Sequence, residues 1–207
     1  MNKKIAYINF SGGWGGLEIF SLNIFKWMTQ EGYEIIFFVE EKSKLHQNLI
    51  NIFPENKNII PLKTIKYIDV ANIIKIRDIL IKKKIEIVHT FKSSDIWFSV
   101  LASKLFTENK NFIKTIHHLQ MLPTKPRKGF FHKIIYGHLD LLISISEQMR
   151  LTVYEKWPVN KKIVKTIYHG VDTAKFKIND ETEKNVIKLK YKIPLNKTII
   201  GIAGQII

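Results

Sequence analysis

The amino-acid sequence predicts an α/β fold in which helices flank a parallel β-sheet. Short segments of β-branched and aromatic residues alternate with longer segments whose apolar residues recur every three or four positions. This alternation is typical of repeated strand–helix units around a parallel sheet. The composition agrees, because 45% of the 207 residues are hydrophobic and 25% are charged, which is enough apolar material for one full core.

The predicted elements follow one another regularly along the chain. Each strand is a short apolar run, and each helix has an apolar stripe along one side. Gly32 is expected to end the first helix, and Ser93 or Ser94 to cap the third. Strands are predicted at residues 5–10, 34–39, 85–89, 111–116, 139–145 and 163–167, and helices at 17–28, 70–83, 94–106 and 146–156.

The chain is predicted to contain one complete domain and the start of another. Residues 1–170 form the first domain, 171–197 form a polar linker with one helix, and 198–207 begin the second domain with a buried strand at 198–203. A buried strand needs partner strands for its backbone hydrogen bonds. We therefore expect the sequence to be a fragment of a longer protein; the alternative is that this strand packs on the first domain.

Charge and cysteine content narrow the classes of protein. The net charge of +15 lies entirely after residue 60 and would attract phosphates of nucleic acid, anionic lipid or a charged substrate. Because Lys, Ile and Asn are frequent throughout, the alternative is that the positive charge reflects the general composition of the chain and has no binding function.

The sequence also lacks the signals of membrane-spanning and secreted proteins. No apolar run approaches the about 18 residues of a membrane-spanning helix, and the start lacks the long apolar stretch of a signal peptide. The absence of cysteine excludes disulfides and fits a reducing, cytoplasmic compartment.

The first candidate ligand site is the glycine-rich segment 11–16, which follows the first predicted strand. Four of its residues are glycines, and backbone without side chains lets a ligand approach closely while the next helix offers free N–H groups to an anion. The segment is not a dinucleotide fingerprint, because Glu18 stands where the third glycine is required, and it lacks the Lys-Ser/Thr pair of a P-loop. A tight turn is the alternative interpretation.

Histidines close two further predicted strands, at His89 and at His117 and His118. Open parallel sheets bind ligands at the carboxyl ends of their strands, where imidazole can bind sugar hydroxyls and transfer protons near neutral pH. Each histidine alone is more often structural, but two such strand ends beside a glycine loop favour a shared cleft. Neither a metal nor another cofactor is predicted, since cysteine is absent and no histidine has zinc-site spacing to a carboxylate.

The segment 121–138 interleaves basic and aromatic residues. Such a pattern suits a membrane surface rich in anionic lipid, where charge and shallow apolar insertion act together. The alternative is a loop followed by a core helix whose aromatic side chains face inward. No nucleic-acid-binding module is recognisable, so nucleic acid is not a predicted partner. The membrane-surface candidates are Lys125, Arg127, Lys128, Phe130 and Phe131.

Several short motifs occur in a fixed order along nearly the whole chain. They are Gly-Gly-Leu-Glu at 15–18, Glu-Ile-Val-His at 86–89, Thr-Ile-His at 115–117, the run from Asp140 to Glu147, Tyr-His-Gly-Val-Asp at 168–172 followed by Phe176, and Ile-Gly-Ile-Ala-Gly-Gln at 200–205. In these motifs the chain resembles the N-terminal domain of the retaining glycosyltransferases of family 4, the group 1 type with GT-B architecture.

The resemblance implies a Rossmann-like domain and a role for each motif. Gly15 and Gly16 would lie near the phosphates of the donor, and His117 would border the transferred sugar and act as the catalytic residue. The N-terminal domain of this family mainly shapes the acceptor side of the cleft. Candidates for that side are Trp14, His89, His118 and Glu147.

The implied reaction is retaining transfer of a hexose from a nucleotide sugar to a glycan or a lipid-linked acceptor, in surface polysaccharide synthesis. The enzyme would be cytoplasmic, with peripheral contact on the inner face of the membrane. His169 and Gln205 depart from the family's usual asparagine and arginine. The family's donor-binding lysine and glutamates would follow Ile207, so this chain alone is expected to be inactive.

Two other classes of protein stay open. One is a dinucleotide-dependent oxidoreductase of Rossmann fold, in which Glu40 or Glu41 after the second strand would bind the ribose. The failed glycine frame argues against this class. The other is a non-enzymatic basic protein that binds membrane surfaces through charge.

Overall fold

The computed structural model describes residues 3–65, 69–106, 113–174, 176 and 180–201. The chain divides into two compact units, Met1–Tyr168 and His169–Ile207. The strands are β1 (Ile5–Asn9), β2 (Ile35–Glu40), β3 (Ile59–Leu62), β4 (Ile87–Thr90), β5 (Lys114–Leu119), β6 (Leu141–Ser144) and β7 (Val164–Thr166). The helices are α1 (Gly16–Gln30), α2 (Lys44–Ile52), α3 (Val70–Lys82), α4 (Asp95–Val100), α5 (Phe130–Gly137), α6 (Glu147–Lys156) and α7 (Glu181–Lys190).

All seven strands of the described chain form one parallel sheet in the order β3-β2-β1-β4-β5-β6-β7. The chain runs outward from β1 to β3, and then returns to the other side of β1 with β4. This reversal places a crevice at the carboxyl ends of β1 and β4, which is where open α/β sheets bind ligands. The predicted α/β, Rossmann-like fold is confirmed.

Helices cover both faces of the sheet, which explains why the central strands are continuous apolar runs. On one face, Phe25 of α1 packs against Tyr7 and Phe37. On the other face, α3 and α4 pack on β1, β2 and β4, and α5 and α6 pack on β5, β6 and β7. The first face is called the α1 face below, and the second is called the α6 face.

Most predicted elements form within a few residues of their expected bounds, and the differences have physical causes. Gly32 follows the end of α1 with a φ of 81°, a left-handed conformation that suits glycine. The predicted helix 94–106 is divided, because a π-helix at Leu101–Leu105 follows α4. Ser94 occupies the cap position of α4, but its hydroxyl donates to Asp95 rather than capping the helix backbone.

Helix α2 and strand β3 were not predicted, and helix α5 was expected only in the alternative interpretation of the segment 121–138. All three are short, and short elements give a weak periodic signal. One predicted strand, at 198–203, is absent from the part of it that the structure describes. Strand β5 starts at Lys114 and runs to Leu119, so its histidines lie within the strand; residues 111 and 112 are outside the described residues. Residues 198–201 are exposed and not in a strand, and residues 202–207 are outside the described residues.

The packing on the α1 face leads to a prediction about stability. Phe25→Ala removes a fully buried ring, and we expect it to lower the free energy of unfolding by about 3–5 kcal/mol. Phe130→Ala is the matched control, because that ring is 72% exposed, and its effect should stay within about 0.5 kcal/mol. Urea unfolding midpoints measure both, and equal effects would contradict the assigned core.

Candidate ligand-binding site

A pocket of about 200 Å³ lies at the carboxyl edge of the sheet, where the strand order reverses. Its walls come from the start of α1, the segment after β4, the end of β5 with the residues that follow it, and the loop before α5. It is smaller than the about 300–1,000 Å³ of sites that enclose a drug-sized ligand, so it fits one end group of a larger ligand. The lining residues are Leu17, Phe91, Lys92, Ser93, Ser94, Gln120, Met121 and Arg127.

The glycine loop borders the start of α1, and the fold itself does not require its glycines. None of its glycines has a positive φ. A Cβ on Gly12 or Gly16 would meet no atom within 4 Å, and one on Gly13 or Gly15 would make only ordinary contacts. Neither strain nor crowding therefore explains this run of glycines, and backbone without side chains is open to close approach by a ligand. Trp14, in the same loop, is 39% exposed.

Two side chains that follow β4 hold the end of β1 in place. The backbone N–H of Phe10 donates to the Asp95 carboxylate over 3.0 Å, and Lys92 Nζ donates to the Phe10 carbonyl over 2.8 Å. These bonds span the crevice between β1 and β4. They fix the backbone from which the glycine loop starts, and neither residue was among the candidate site residues predicted from the sequence. Their position a few residues after the predicted strand at 85–89 was the available signal.

Burial makes the Asp95 carboxyl a weaker acid than an exposed aspartate, with a raised pKa. Desolvation raises the pKa of this carboxyl from 3.8 to about 7, although the hydrogen bond from Phe10 and the charge of Lys92 both act to lower it. The carboxyl therefore changes its protonation state near neutral pH. Its oxygens face the backbone of Phe10 and the hydroxyl of Ser94.

Arg127 belongs to the pocket, and this corrects its assignment to a membrane surface. Its Nη1 donates to the hydroxyl of Tyr136 over 2.7 Å, and its guanidinium lies 5.1 Å from the ring centroid of Trp157. Its backbone N–H donates to the carbonyl of Lys156. The guanidinium is thus fixed by α5 and by the end of α6, two elements that the sequence pattern does not bring together.

The other membrane-surface candidates keep an exposed position. Phe130 and Phe131 start α5 with 72% and 67% of their surface exposed, and their ring centroids are 5.7 Å apart. Lys125 and Lys128 precede them and are also exposed. The alternative in which the aromatic side chains of this helix face inward is wrong for these two phenylalanines and holds for Tyr136, which is fully buried.

His117 and His118 lie on opposite faces of the sheet, because successive residues of a strand alternate. The ring of His118 packs on Phe20 of α1, with centroids 4.7 Å apart, and is stacked 5.7 Å from the ring of His89. His117 points to the α6 face, 6.2 Å from Trp157. This corrects the expectation that the His117 side chain shares a cleft with the glycine loop; His89 and His118 are on the α1 face with the helix that follows that loop.

Burial keeps two of these imidazoles neutral. Desolvation lowers the pKa of His89 from 6.5 to about 3, and His118 adds a smaller effect of the same sign. The pKa of His117 is lowered well below 6.5, mainly by desolvation and then by neighbouring charges. Its Nδ1 is 2.9 Å from the hydroxyl of Thr90, and its side chain is fully buried. A catalytic role for His117 stays a prediction.

Glu147 lies at the same edge of the sheet, beyond β6. It is the first residue of α6, and it accepts a hydrogen bond from the hydroxyl of Thr166 over 3.0 Å and pairs with Arg150. The hydrogen bond from Arg150 lowers the pKa of the carboxyl, which is therefore ionised near neutral pH. The acceptor-side role of Glu147 is a prediction that this geometry leaves open.

The described residues contain neither a cluster of metal-binding side chains nor a helix that could span a membrane. No group of three His, Asp or Glu side chains in that part of the chain is arranged to hold a metal ion. None of its helices is long and apolar enough to cross a bilayer.

The chain belongs to Glycosyltransferase Family 4. The sequence pattern of that family matches residues 14–175, which is more than half of the chain. The expected family is therefore confirmed. No curated protein has a significant sequence match to the chain.

Solved structures of similar fold include a glycosyltransferase, HepE and an epimerase. A glycosyltransferase from Rickettsia africae ESF-5 is 18% identical with a TM-score of 0.68, and the match covers 94% of this chain and 51% of that one. HepE of Anabaena, solved with UDP and glucose, is 13% identical with a TM-score of 0.63 and coverages of 92% and 50%. A UDP-N-acetylglucosamine 2-epimerase is 10% identical with a TM-score of 0.50 and coverages of 79% and 46%. The chain spans about half the length of these proteins, and the likeness shows the fold.

The position of Asp95 leads to a prediction about pH. The folded state favours the protonated carboxyl of Asp95. The protein is therefore most stable, as far as this group is concerned, below pH 3.8, and the free energy of unfolding falls as the pH rises from 3.8 to about 7. Asp95→Asn keeps an oxygen for the Phe10 N–H and removes the ionisation. Its stability relative to the wild type should therefore increase across this range, by up to about 4 kcal/mol.

Urea unfolding of wild type and variant at a series of pH values measures this difference. Asp78→Asn, at an exposed carboxylate paired with Arg77, is the control and should show no such trend. A constant difference between Asp95→Asn and wild type would contradict the assigned ionisation.

Proposed function

We propose that this chain is the acceptor-side half of a retaining glycosyltransferase that moves a hexose from a nucleotide sugar to a glycan or lipid-linked acceptor in surface polysaccharide synthesis. One observation carries the proposal: in a family 4 chain, a pocket opens at the strand reversal beside a glycine loop that the fold does not require. The complex of the similar HepE with UDP and glucose supports a nucleotide-sugar donor.

The geometry supports a division of roles at the carboxyl edge of the sheet. The open space over Gly16 and the free N–H groups at the start of α1 suit the diphosphate of the donor. The small pocket between Leu17 and Arg127 suits the end group of the acceptor. A cationic sugar and a departing diphosphate both need stabilisation in retaining transfer, and fixed backbone dipoles supply it without reorganisation.

The oxidoreductase alternative has less support. Of the two candidate ribose-binding acids, Glu40 already accepts hydrogen bonds from the backbone and the hydroxyl of Thr64, whereas Glu41 is exposed, so the hydrogen bonds argue against Glu40 alone. The fold alone does not determine the reaction, because an epimerase shares it. The family match favours glycosyl transfer.

A transfer assay tests the proposal. The chain is joined to the donor domain of a family 4 enzyme and supplied with labelled nucleotide sugars and a bacterial lipid extract. We expect label in the lipid or glycan product from the joined protein and none from residues 1–207 alone. Gly16→Ala should lower the rate at least about tenfold, because its Cβ would enter the space assigned to the donor.

Stability separates this effect from misfolding. Gly16→Ala should leave the free energy of unfolding unchanged or raise it by about 0.4–1 kcal/mol, since alanine restricts the unfolded chain. Gly32→Ala is the contrasting control, because its positive φ should make that substitution destabilising by about 1–2 kcal/mol. The proposal would be contradicted if Gly16→Ala transferred sugar at the wild-type rate, or if the joined protein transferred no sugar from any nucleotide sugar.

We further propose that the first turn of α5 rests on the membrane that carries a lipid-linked acceptor. Phe130 and Phe131 offer two exposed rings beside Lys125 and Lys128, and this combination suits shallow insertion among anionic lipids. Through this contact the enzyme would lie on the inner face of the cytoplasmic membrane.

Liposome flotation checks this contact. Wild type should float with vesicles that contain phosphatidylglycerol, and less at high salt. The double change Phe130→Ser and Phe131→Ser should lower the bound fraction at least about threefold, because the inserted apolar area is lost. Ile52→Ser, at a partly exposed position on α2, is the control. Equal flotation of double variant and wild type would rule out insertion through these rings.

A further inference from the structure

We infer that the pocket at the strand reversal binds a phosphate group of the acceptor, so that the substrate is a phosphate-bearing acceptor rather than a neutral glycan. The inference rests on the proposed function and adds the chemical class of the acceptor. Its starting point is the lining of the pocket, which contains two cationic side chains, Lys92 and Arg127, and no carboxylate.

Both cations are held in place before any ligand binds. The Arg127 guanidinium is fixed by Tyr136 and stacked on Trp157, and among the described residues Tyr136 is its one hydrogen-bond acceptor. Lys92 is anchored through the carbonyl of Phe10, which occupies one of its three donors. Preorganised cations lose little side-chain entropy on binding, so a ligand gains most of the electrostatic attraction.

The pocket also contains a buried hydrogen-bond donor that lacks an acceptor. The side-chain Nε2 of Gln120 is buried, and no described residue accepts a hydrogen bond from it. A buried donor without a partner is costly, and an oxygen-rich ligand would satisfy it. Ser93 adds a hydroxyl to the same wall. The donors are thus a guanidinium, an ammonium, an amide and a hydroxyl, which match the several acceptor oxygens of a phosphate.

Two acidic residues, Asp95 and Glu18, adjoin lining residues in the sequence but do not belong to the lining themselves. The oxygens of Asp95 accept from the Phe10 N–H and the Ser94 hydroxyl. The Glu18 carboxylate lies under the glycine loop, 3.7 Å from the position of a Cβ on Gly15. Neither lines the pocket, so the charged groups of its lining are Lys92 and Arg127. The volume of about 200 Å³ suits a phosphate with the first atoms attached to it.

Binding of inorganic phosphate to the full chain is the first test, measured by isothermal titration calorimetry. We expect saturable binding at a site that depends on Arg127. Arg127→Gln should weaken binding at least about tenfold, since a charge-assisted contact is lost. Lys128→Gln removes the same charge from an exposed neighbouring position outside the pocket, so its effect should stay within about twofold.

Further variants keep the test decisive. Should Arg127→Gln unfold the chain, Gln120→Leu removes the buried donor at similar volume and should weaken binding about fivefold or more. Acetate should bind much more weakly than phosphate. Three results would overturn the inference: no saturable phosphate binding, equal loss in Arg127→Gln and Lys128→Gln, or acetate binding as tightly as phosphate.

Competition in the transfer assay tests whether the bound phosphate occupies the place of the acceptor or that of the nucleotide sugar. Inorganic phosphate should inhibit competitively against a phosphate-bearing acceptor and not against the nucleotide sugar. Competition with the nucleotide sugar alone would overturn the assignment and leave the proposed function intact. A joined protein that transfers nothing, but whose phosphate binding keeps the expected variant pattern, would contradict the proposed function and support the phosphate pocket.

Discussion

The hydrogen bonds at Phe10 join the two halves of the sheet at the point where its strand order reverses. Asp95 accepts from the N–H of Phe10 and Lys92 donates to its carbonyl, so the residue after β1 is tied to the segment after β4 on both of its backbone groups. The glycine loop begins at the next residue, and the pocket is lined by the same segment after β4. The geometry of the whole carboxyl edge depends on this connection.

The two faces of the sheet have different polar contents. On the α1 face, His89 and His118 stack among aromatic rings, and desolvation keeps His89 neutral. On the α6 face, His117 is buried beside Trp157, whose ring also carries the guanidinium of Arg127. His89 and His117 are therefore buried beneath the carboxyl edge of the sheet, while the charged residues that line the pocket are Lys92 and Arg127.

The loop before α5 and its first turn carry the residues of both proposed contacts, with a ligand and with a membrane, in one short segment. Arg127 turns inward to the pocket, whereas Lys125, Lys128 and the two phenylalanines that start α5 point to solvent. A ligand end group in the pocket and a lipid surface at the first turn of α5 would thus be neighbours. This arrangement suits an acceptor whose phosphate is attached to a lipid, because one segment contacts both parts.

The sequence by itself determined the fold class, most strands and helices, the glycine loop and the family, because alternating apolar runs and contiguous motifs are local properties. Only the tertiary structure decided which side chains meet. It separated His117 from His118 through strand alternation, moved Arg127 from a surface pattern to a pocket through its contacts with Tyr136 and Trp157, and brought Asp95 to Phe10. The contacts of Arg127 with Trp157 and of Asp95 with Phe10 join residues distant in the chain, and no periodicity encodes them. The histidines separate because β5 continues to Leu119, beyond the predicted end of the strand at residue 116.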